Sequence, residues 1–122
     1  MAITAFADEV RRVRRLGVGT SDIAVAVGAQ PATINAWARA TRRPTGAKRE
    51  RFMELVALVD RLERVMSPRY VPLWLLKPVP ALDDRRPLEL LSKGRYRDVS
   101  KVVAELENES FSSSATRRET SR

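Results

Sequence analysis

TSDIAVAVGAQPATINAWAR, residues 20 to 39, has the length and spacing of a helix–turn–helix unit. Such a unit packs two helices at a steep angle across a tight turn. The crossing needs a small residue on the first helix, and Ala24 is in that place. The turn needs a residue tolerant of positive φ, which Gly28 supplies. Apolar groups must plug the angle, and Ile23, Val27, Ala29, Ile34 and Trp37 stand at the right offsets. An ordinary helical hairpin would share the apolar plugs. The match at seven positions beside a basic flank favours the motif.

Working outward, helical periodicity dominates and no segment alternates like a strand. Ile3, Phe6, Val10 and Val13 form one face of a first helix that Leu16-Gly17 ends. Its arginines, Arg11, Arg12, Arg14 and Arg15, lie toward the C-terminal end, where the dipole favours cations. Thr20 or Ser21 is the expected cap of the second helix. Pro31 opens the third, which is expected to run to about Ala40. After the linker Arg42-Arg43-Pro44-Thr45-Gly46, a long helix is expected from about Ala47 to Met66. Its apolar stripe is Phe52, Leu55, Val56, Val59, Leu62, Val65 and Met66. A shorter helix through Trp74 and Leu76 follows, broken by Pro78 and Pro80. Pro87 opens another, ended by Gly94. Arg95 to about Asn108 is the last, with Tyr96, Val99, Val102, Val103 and Leu106 on its apolar side. The fold class is therefore all-α.

Composition narrows the function. The chain has 122 residues with neither Cys nor His, so thiolate or imidazole metal sites and His-dependent triads are excluded. Adjacent Asp83 and Asp84 do not converge on one substrate atom. No catalytic residue, metal ligand, cofactor or small-molecule substrate is expected. No apolar run approaches the roughly 20 residues that span a bilayer, and acidic Asp8 and Glu9 follow the N-terminus where a secretory leader would not have them. A cytoplasmic address and no membrane partner are expected.

The net charge is +8, and it is uneven. Residues 1–51 carry ten Lys and Arg against four Asp and Glu; the remainder carries thirteen against eleven. A polyanion such as promoter DNA is the partner this favours. The second helix of the motif would enter the major groove, presenting Gln30, Ala32, Thr33, Asn35, Ala36 and Arg39. Of these, Gln30, Thr33 and Asn35 could read base edges. Arg39, Arg42, Arg43, Lys48 and Arg49 would hold phosphates, which positions a protein without reading sequence. So thin a readout calls for a homodimer on a palindrome.

A second constellation runs from residue 74 to 99: Trp74-Leu75-Leu76-Lys77-Pro78, Leu82, Arg85-Arg86-Pro87-Leu88-Glu89-Leu90-Leu91, Gly94 and Val99. It reads as a helix end, a stiff loop folded back by Leu82, a Pro-started helix, a Gly stop and a final helix. This order, W-[LM]-x-x-P, Leu, P-x-x-L-[LIV] and x-x-G, resembles the Xre/ParS/MbcA antitoxins that neutralise RES-domain toxins. The resemblance covers roughly residues 18–111, and its matching positions are Trp74, Pro78, Leu82, Pro87, Leu91, Gly94 and Val99. It implies a helix–turn–helix bundle joined through a long helix to a small toxin-binding lobe. The implied divisions are 1–66, an Xre-like helix–turn–helix domain; 67–111, a ParS/MbcA-like toxin-binding domain; and 112–122, a disordered tail rich in serine and charge.

The resemblance further implies a partner, a RES-domain toxin that consumes NAD, and repression of the chain's own operon. The pocket of such a toxin is shaped for an anionic pyrophosphate, so exposed cations and an aromatic anchor are the expected contacts. They are Arg85, Arg86, Lys93, Arg95, Tyr96, Lys101 and Phe111. Three departures from the family pattern stand out. Asp83-Asp84 falls where the family has Asn then Gly, Ala40 falls where it often has Gly, and Ser110 falls where it often has a closing Gly. Two other readings fit the residues: a stand-alone dimeric helix–turn–helix repressor, and an adaptor with a degenerate helix–turn–helix.

Overall fold

The computed structural model describes residues 2–110 with their side chains and carries the backbone of the last helix on to Thr120. Its helices are α1 (Ile3–Leu16), α2 (Thr20–Val27), α3 (Pro31–Ala38), α4 (Gly46–Glu63), α5 (Val71–Leu76), α6 (Pro87–Ser92) and α7 (Tyr96–Thr120). Short 3₁₀ turns at Pro68–Tyr70 and Pro80–Leu82 lead into α5 and out of it. Among the described residues there is no strand, only an isolated antiparallel bridge between Val79 and Arg85. The expected 112–122 tail lies outside the described side chains.

The helix–turn–helix plugs do what their spacing requires. Ile23, Ala24, Val27, Ile34 and Trp37 are buried, and Ala29 packs against them. α4 is the hub. Phe52, Leu55, Leu58, Val59 and Leu62 are fully buried, and the helix touches α1, α2, α5, α6 and α7. Leu58 was not in the expected stripe. It sits at the edge of that stripe and is buried because α4 is covered on more than one side. Phe52 also holds the aromatic centre, edge-on to Trp37 at 5.7 Å and tilted against Phe6 at 6.3 Å.

The core continues without a break into the C-terminal segment. Val71, Trp74, Leu75, Leu82, Leu88, Leu90, Leu91, Val99 and Val103 belong to the same buried cluster as Phe6 and Ile23. The most extensive packing between any two helices is α2 against α6. The first helix of the helix–turn–helix therefore rests directly on the C-terminal lobe.

Several boundaries differ from the sequence expectation. α3 ends at Ala38, not Ala40, and α4 ends at Glu63, not Met66. Ser67-Pro68 disfavours helical backbone just ahead of it, yet Met66 still packs on the core. The cap of α2 is Gly19, with no side-chain cap bond, in place of the expected Thr20 or Ser21. Thr20 Oγ1 is engaged elsewhere, accepting from Arg14. Asp22 supplies the negative charge in the first turn of α2.

Four helix ends share one geometry. After α1, α2, α3 and α6 the chain turns through a left-handed residue, and the next residue's N–H donates back to a carbonyl in the last turn. The donors and acceptors are Val18 to Val13, Ala29 to Ala24, Thr41 to Ala36 and Arg95 to Leu90, at 2.9–3.3 Å. The left-handed residue is Gly17, Gly28 and Gly94 in three cases and Ala40, φ 59°, in the fourth. Among the described residues, the only other non-glycine residues with positive φ are Asp83 (57°) and Asp84 (58°). The family-pattern departures at Ala40 and Asp83-Asp84 are thus the positions where side chains occupy left-handed backbone. Replacing Ala40 with Gly is expected to raise stability by up to about 1 kcal/mol, because a Cβ is strained there and a hydrogen is not. Urea denaturation checks this; a loss of stability would show that Ala40 is not strained.

Candidate functional site

Two exposed basic surfaces are mounted on this core. The first follows α3 into the α4 start. Gln30 precedes α3 and is exposed; Arg39, Arg42, Arg43, Lys48 and Arg49 are all exposed. Pro44, between them, is buried and anchors the linker. Phe6, Arg43, Pro44, Thr45, Gly46 and Arg49 enclose a hollow of about 420 Å³. The Arg49 guanidinium stands 5.9 Å over the Phe6 ring. No acidic residue lies in the first turn of α4, so the dipole and the arginines add to one positive field.

The outer face of α3 is narrower than its sequence positions suggest. Ala36, expected to point outward, is buried, and its carbonyl accepts from the Thr41 hydroxyl at 3.1 Å. Thr33 and Asn35 are half-buried. Arg14 on α1 donates to Asn35 Oδ1 at 3.0 Å and to Thr20 Oγ1 at 3.3 Å. That bond draws Asn35 toward α1, and a bidentate adenine contact needs both its oxygen and its amide free. Nothing in the sequence pointed to Arg14: the two residues lie 21 apart, and their meeting depends on how α1 crosses α3.

The second surface surrounds α6 and the start of α7. Arg85, Arg86, Lys93, Arg95 and Lys101 are exposed, but they do not form one patch. Arg95 and Lys101 border a hollow of about 260 Å³ with Leu82, Leu90 and Val102 beneath and Asp83, Asp98 and Glu105 around it. Arg86 borders a different hollow, beside Val25, Leu76 and Leu88. Lys93 pairs with Glu89 at 3.2 Å and Arg95 with Asp98 at 2.7 Å. Tyr96, expected among the exposed contacts, is half-buried against the core. Phe111 lies outside the described side chains.

Besides Arg14, two arginines set the orientation of these surfaces. Arg12 on α1 reaches Glu9 at 3.0 Å and, on α4, Asp60 at 2.6 Å and Glu63 at 2.7 Å. Burial works against its charge, but the bonds and attraction of Glu9 and Asp60 prevail and hold its pKa above the ordinary value. Arg61 on α4 pairs with Glu107 on α7 at 2.6 Å and donates to Ser100 Oγ at 2.7 Å. Its bond to Glu107 chiefly, with Tyr96 adding to it, holds Arg61 charged against desolvation. The same bond holds the Glu107 carboxyl below the ordinary carboxylate range.

Among the described residues, no group of three or more metal-ligating side chains converges, and no helix is long and apolar enough to cross a membrane. No family profile matches the chain. Individual proteins do. The mycobacterial cidal antitoxin MbcA of Mycobacterium tuberculosis is 25% identical over 91 residues, 75% of this chain and 80% of that protein. The MbcA of Mycobacterium bovis matches equally. A probable mycobacterial cidal antitoxin of M. tuberculosis is 32% identical over 90 residues, 74% of this chain and 76% of its own length. This chain belongs to the MbcA family of antitoxins. The fold agrees: a chain in the crystal structure of the M. tuberculosis MbcT–MbcA toxin–antitoxin complex superposes with a TM-score of 0.72. That match has 25% identity and covers 82% of this chain and 91% of the other.

In this MbcA-family chain, α7 is pinned to α4 by a pair that includes a titrating carboxylate. Glu107's folded pKa is depressed, so its contribution to stability is present above the unfolded value. It is lost as pH falls through the folded one. Glu107→Gln should therefore cost about 0.5–1 kcal/mol at pH 7, the scale of a partly exposed pair. The difference from wild type should shrink below about pH 4. Thermal melts across pH 3–7 check it; a constant difference would contradict the assignment.

Proposed function

We propose that this chain is an antitoxin that binds and blocks a cognate RES-domain toxin, an NAD-consuming enzyme, and represses its own operon through the helix–turn–helix. The observation that carries the toxin-binding half is the likeness to a chain of a toxin–antitoxin complex across most of both chains. The RES class rests on the Trp74–Val99 motif resemblance. The toxin contacts are assigned to the second surface: Arg85, Arg86, Lys93, Arg95, Lys101 and, beyond the described side chains, Phe111. Tyr96 serves there by supporting the start of α7. The 67–111 segment is then the toxin-binding part and 1–66 the DNA-binding part, sharing one interior.

The DNA half is supported by the uncommitted cations. Arg39, Arg42, Arg43 and Lys48 have no side-chain hydrogen bond or ion pair with another described residue. Free exposed guanidinium groups beside a helix–turn–helix suit phosphate oxygens. Gln30 and Thr33 carry base recognition. Asn35 contributes through its remaining amide hydrogens only. With so few reading groups, two chains are needed on a palindromic site.

The toxin reading is tested by ending the chain after Ser110. Every buried residue of α7 among the described residues, and the Glu107–Arg61 pair, are kept, so the fold should persist while Phe111 and the tail are removed. Co-expression with the product of the adjacent gene should then give loss of copurification and of growth rescue, with an unchanged melting temperature. Full protection by the shortened chain would refute the Phe111 assignment, and failure of the intact chain to copurify would refute the antitoxin reading itself.

The operon reading is tested by titrating promoter DNA in rising salt. With about four phosphates neutralised per chain, a pair should show a slope of log K against log salt near −7. Replacing Arg42 and Arg43 with Ala should make that slope shallower by about 4 for the pair, and weaken all sequences alike. A flat salt dependence would remove the phosphate assignments.

A further inference from the structure

We propose that Arg14 on α1 decides which base Asn35 reads, by turning its amide so that only the donating end faces outward. The inference rests on α3 as the helix that meets DNA, and it names what sets the specificity of that helix. Of the α3 side chains that are not buried, Thr33 and Asn35 are the ones able to hydrogen-bond a base edge. Asn35 shares a helix face with Ala32, three residues before it, and Arg39, four residues after it, and both of these are exposed. It therefore stands at the border between the outward side of α3 and the side that packs on α1.

The chemistry of the partner fixes the orientation of the Asn35 amide. An amide accepts at its oxygen and donates at its nitrogen, whereas a guanidinium only donates. The 3.0 Å bond from Arg14 Nη1 must therefore end on the oxygen, Oδ1. The same Nη1 donates to Thr20 Oγ1 at 3.3 Å. One nitrogen thus holds α2 and α3 together, and the guanidinium cannot move away from Asn35 without losing Thr20 as well. Oδ1 is turned toward α1, and the two hydrogens of Nδ2 have no partner among the described residues. In the major groove guanine presents two acceptors, N7 and O6, while adenine presents the acceptor N7 beside the donor N6. A donor-only amide matches guanine. Against adenine it sets donor against donor at N6, and the oxygen that would accept from N6 is held by Arg14. Arg14 is thus a positioning residue for recognition, in contrast to Arg12 and Arg61, whose partners are carboxylates that fix helix to helix.

The test is selection of duplexes from a randomised DNA pool by the full chain, with the selected sequences compared between wild type and variants. The position at which Asn35→Ala loses its preference is the one that Asn35 reads. There wild type should favour guanine over adenine by about tenfold, the scale of one good pairing with a base edge. Arg14→Leu donates nothing, which frees the amide to turn, and the preference should move to adenine by about tenfold. Arg14→Gln keeps a polar chain but can accept as well as donate, so it should lose the guanine preference even if the leucine variant folds poorly. Arg14→Lys still only donates and should keep guanine. A bond that merely held α3 on α1 would change the melting temperature of these variants and leave the base preference alone. Loss of the Arg14 charge weakens all sequences alike and does not alter their ratio. Wild type favouring adenine at that position would overturn the proposal, as would Arg14→Leu and Arg14→Gln chains that keep guanine, or an Asn35→Ala chain that selects the same sequences as wild type. Each of these would leave the helix–turn–helix as a DNA-binding unit. A wild-type chain that selects no sequence and shows no salt-dependent binding would overturn both readings together.

Discussion

Burial of α4 on several sides at once is the constraint from which the remaining architecture follows. Phe52, Leu55, Leu58, Val59 and Leu62 are inaccessible to water, and each such side chain contributes about 1.5–3 kcal/mol relative to exposure. No single neighbour can cover that much of an 18-residue helix. α2 takes the largest part, α1 and Trp37 of α3 lie beside it, and α5, α6 and α7 cover the rest. The helix–turn–helix and the C-terminal lobe therefore share an interior. α2, the supporting helix of the first, lies on α6, the central helix of the second.

Polar groups finish what apolar packing leaves loose. An apolar interface sets distance better than it sets rotation, since hydrophobic attraction has no direction. Arg12 fixes α1 against Asp60 and Glu63, and Arg61 fixes α7 against α4 through Glu107 and Ser100. Arg14 fixes α3 against α1 through Asn35. These arginines hold helices in place, while Arg39, Arg42, Arg43 and Lys48 face solvent without partners among the described residues. The net charge counts both kinds together, and only the structure separates the cations that hold the fold from those free to meet a partner.

Backbone conformation explains where this chain departs from the pattern of its family. A helix that ends in a left-handed turn needs a residue at positive φ, and glycine meets that need without strain. Gly17, Gly28 and Gly94 do so here, and Ala40, Asp83 and Asp84 take the same region at a cost. The Asp83-Asp84 turn is held nonetheless. Val79 and Arg85 bridge across it and Leu82 is buried beneath, so the loop keeps its shape without the glycine.

The order and type of the helices, the helix–turn–helix plugs, the left-handed stop at Gly28 and the fold-back at Leu82 were all legible in the sequence. Each depends on spacing along one segment, on proline and glycine stereochemistry, or on the period of apolar residues. Family membership was legible for the same reason: Trp74, Pro78, Pro87 and Gly94 punctuate the chain locally. The burial of Leu58 and Ala36, the engagement of Asn35 by Arg14 and the splitting of the α6–α7 cations between two hollows were decided by tertiary structure alone. For Asn35 the deciding contact comes from a residue 21 positions away. Periodicity says which face of a helix is apolar, but only packing says how many neighbours cover it and which polar atoms they occupy.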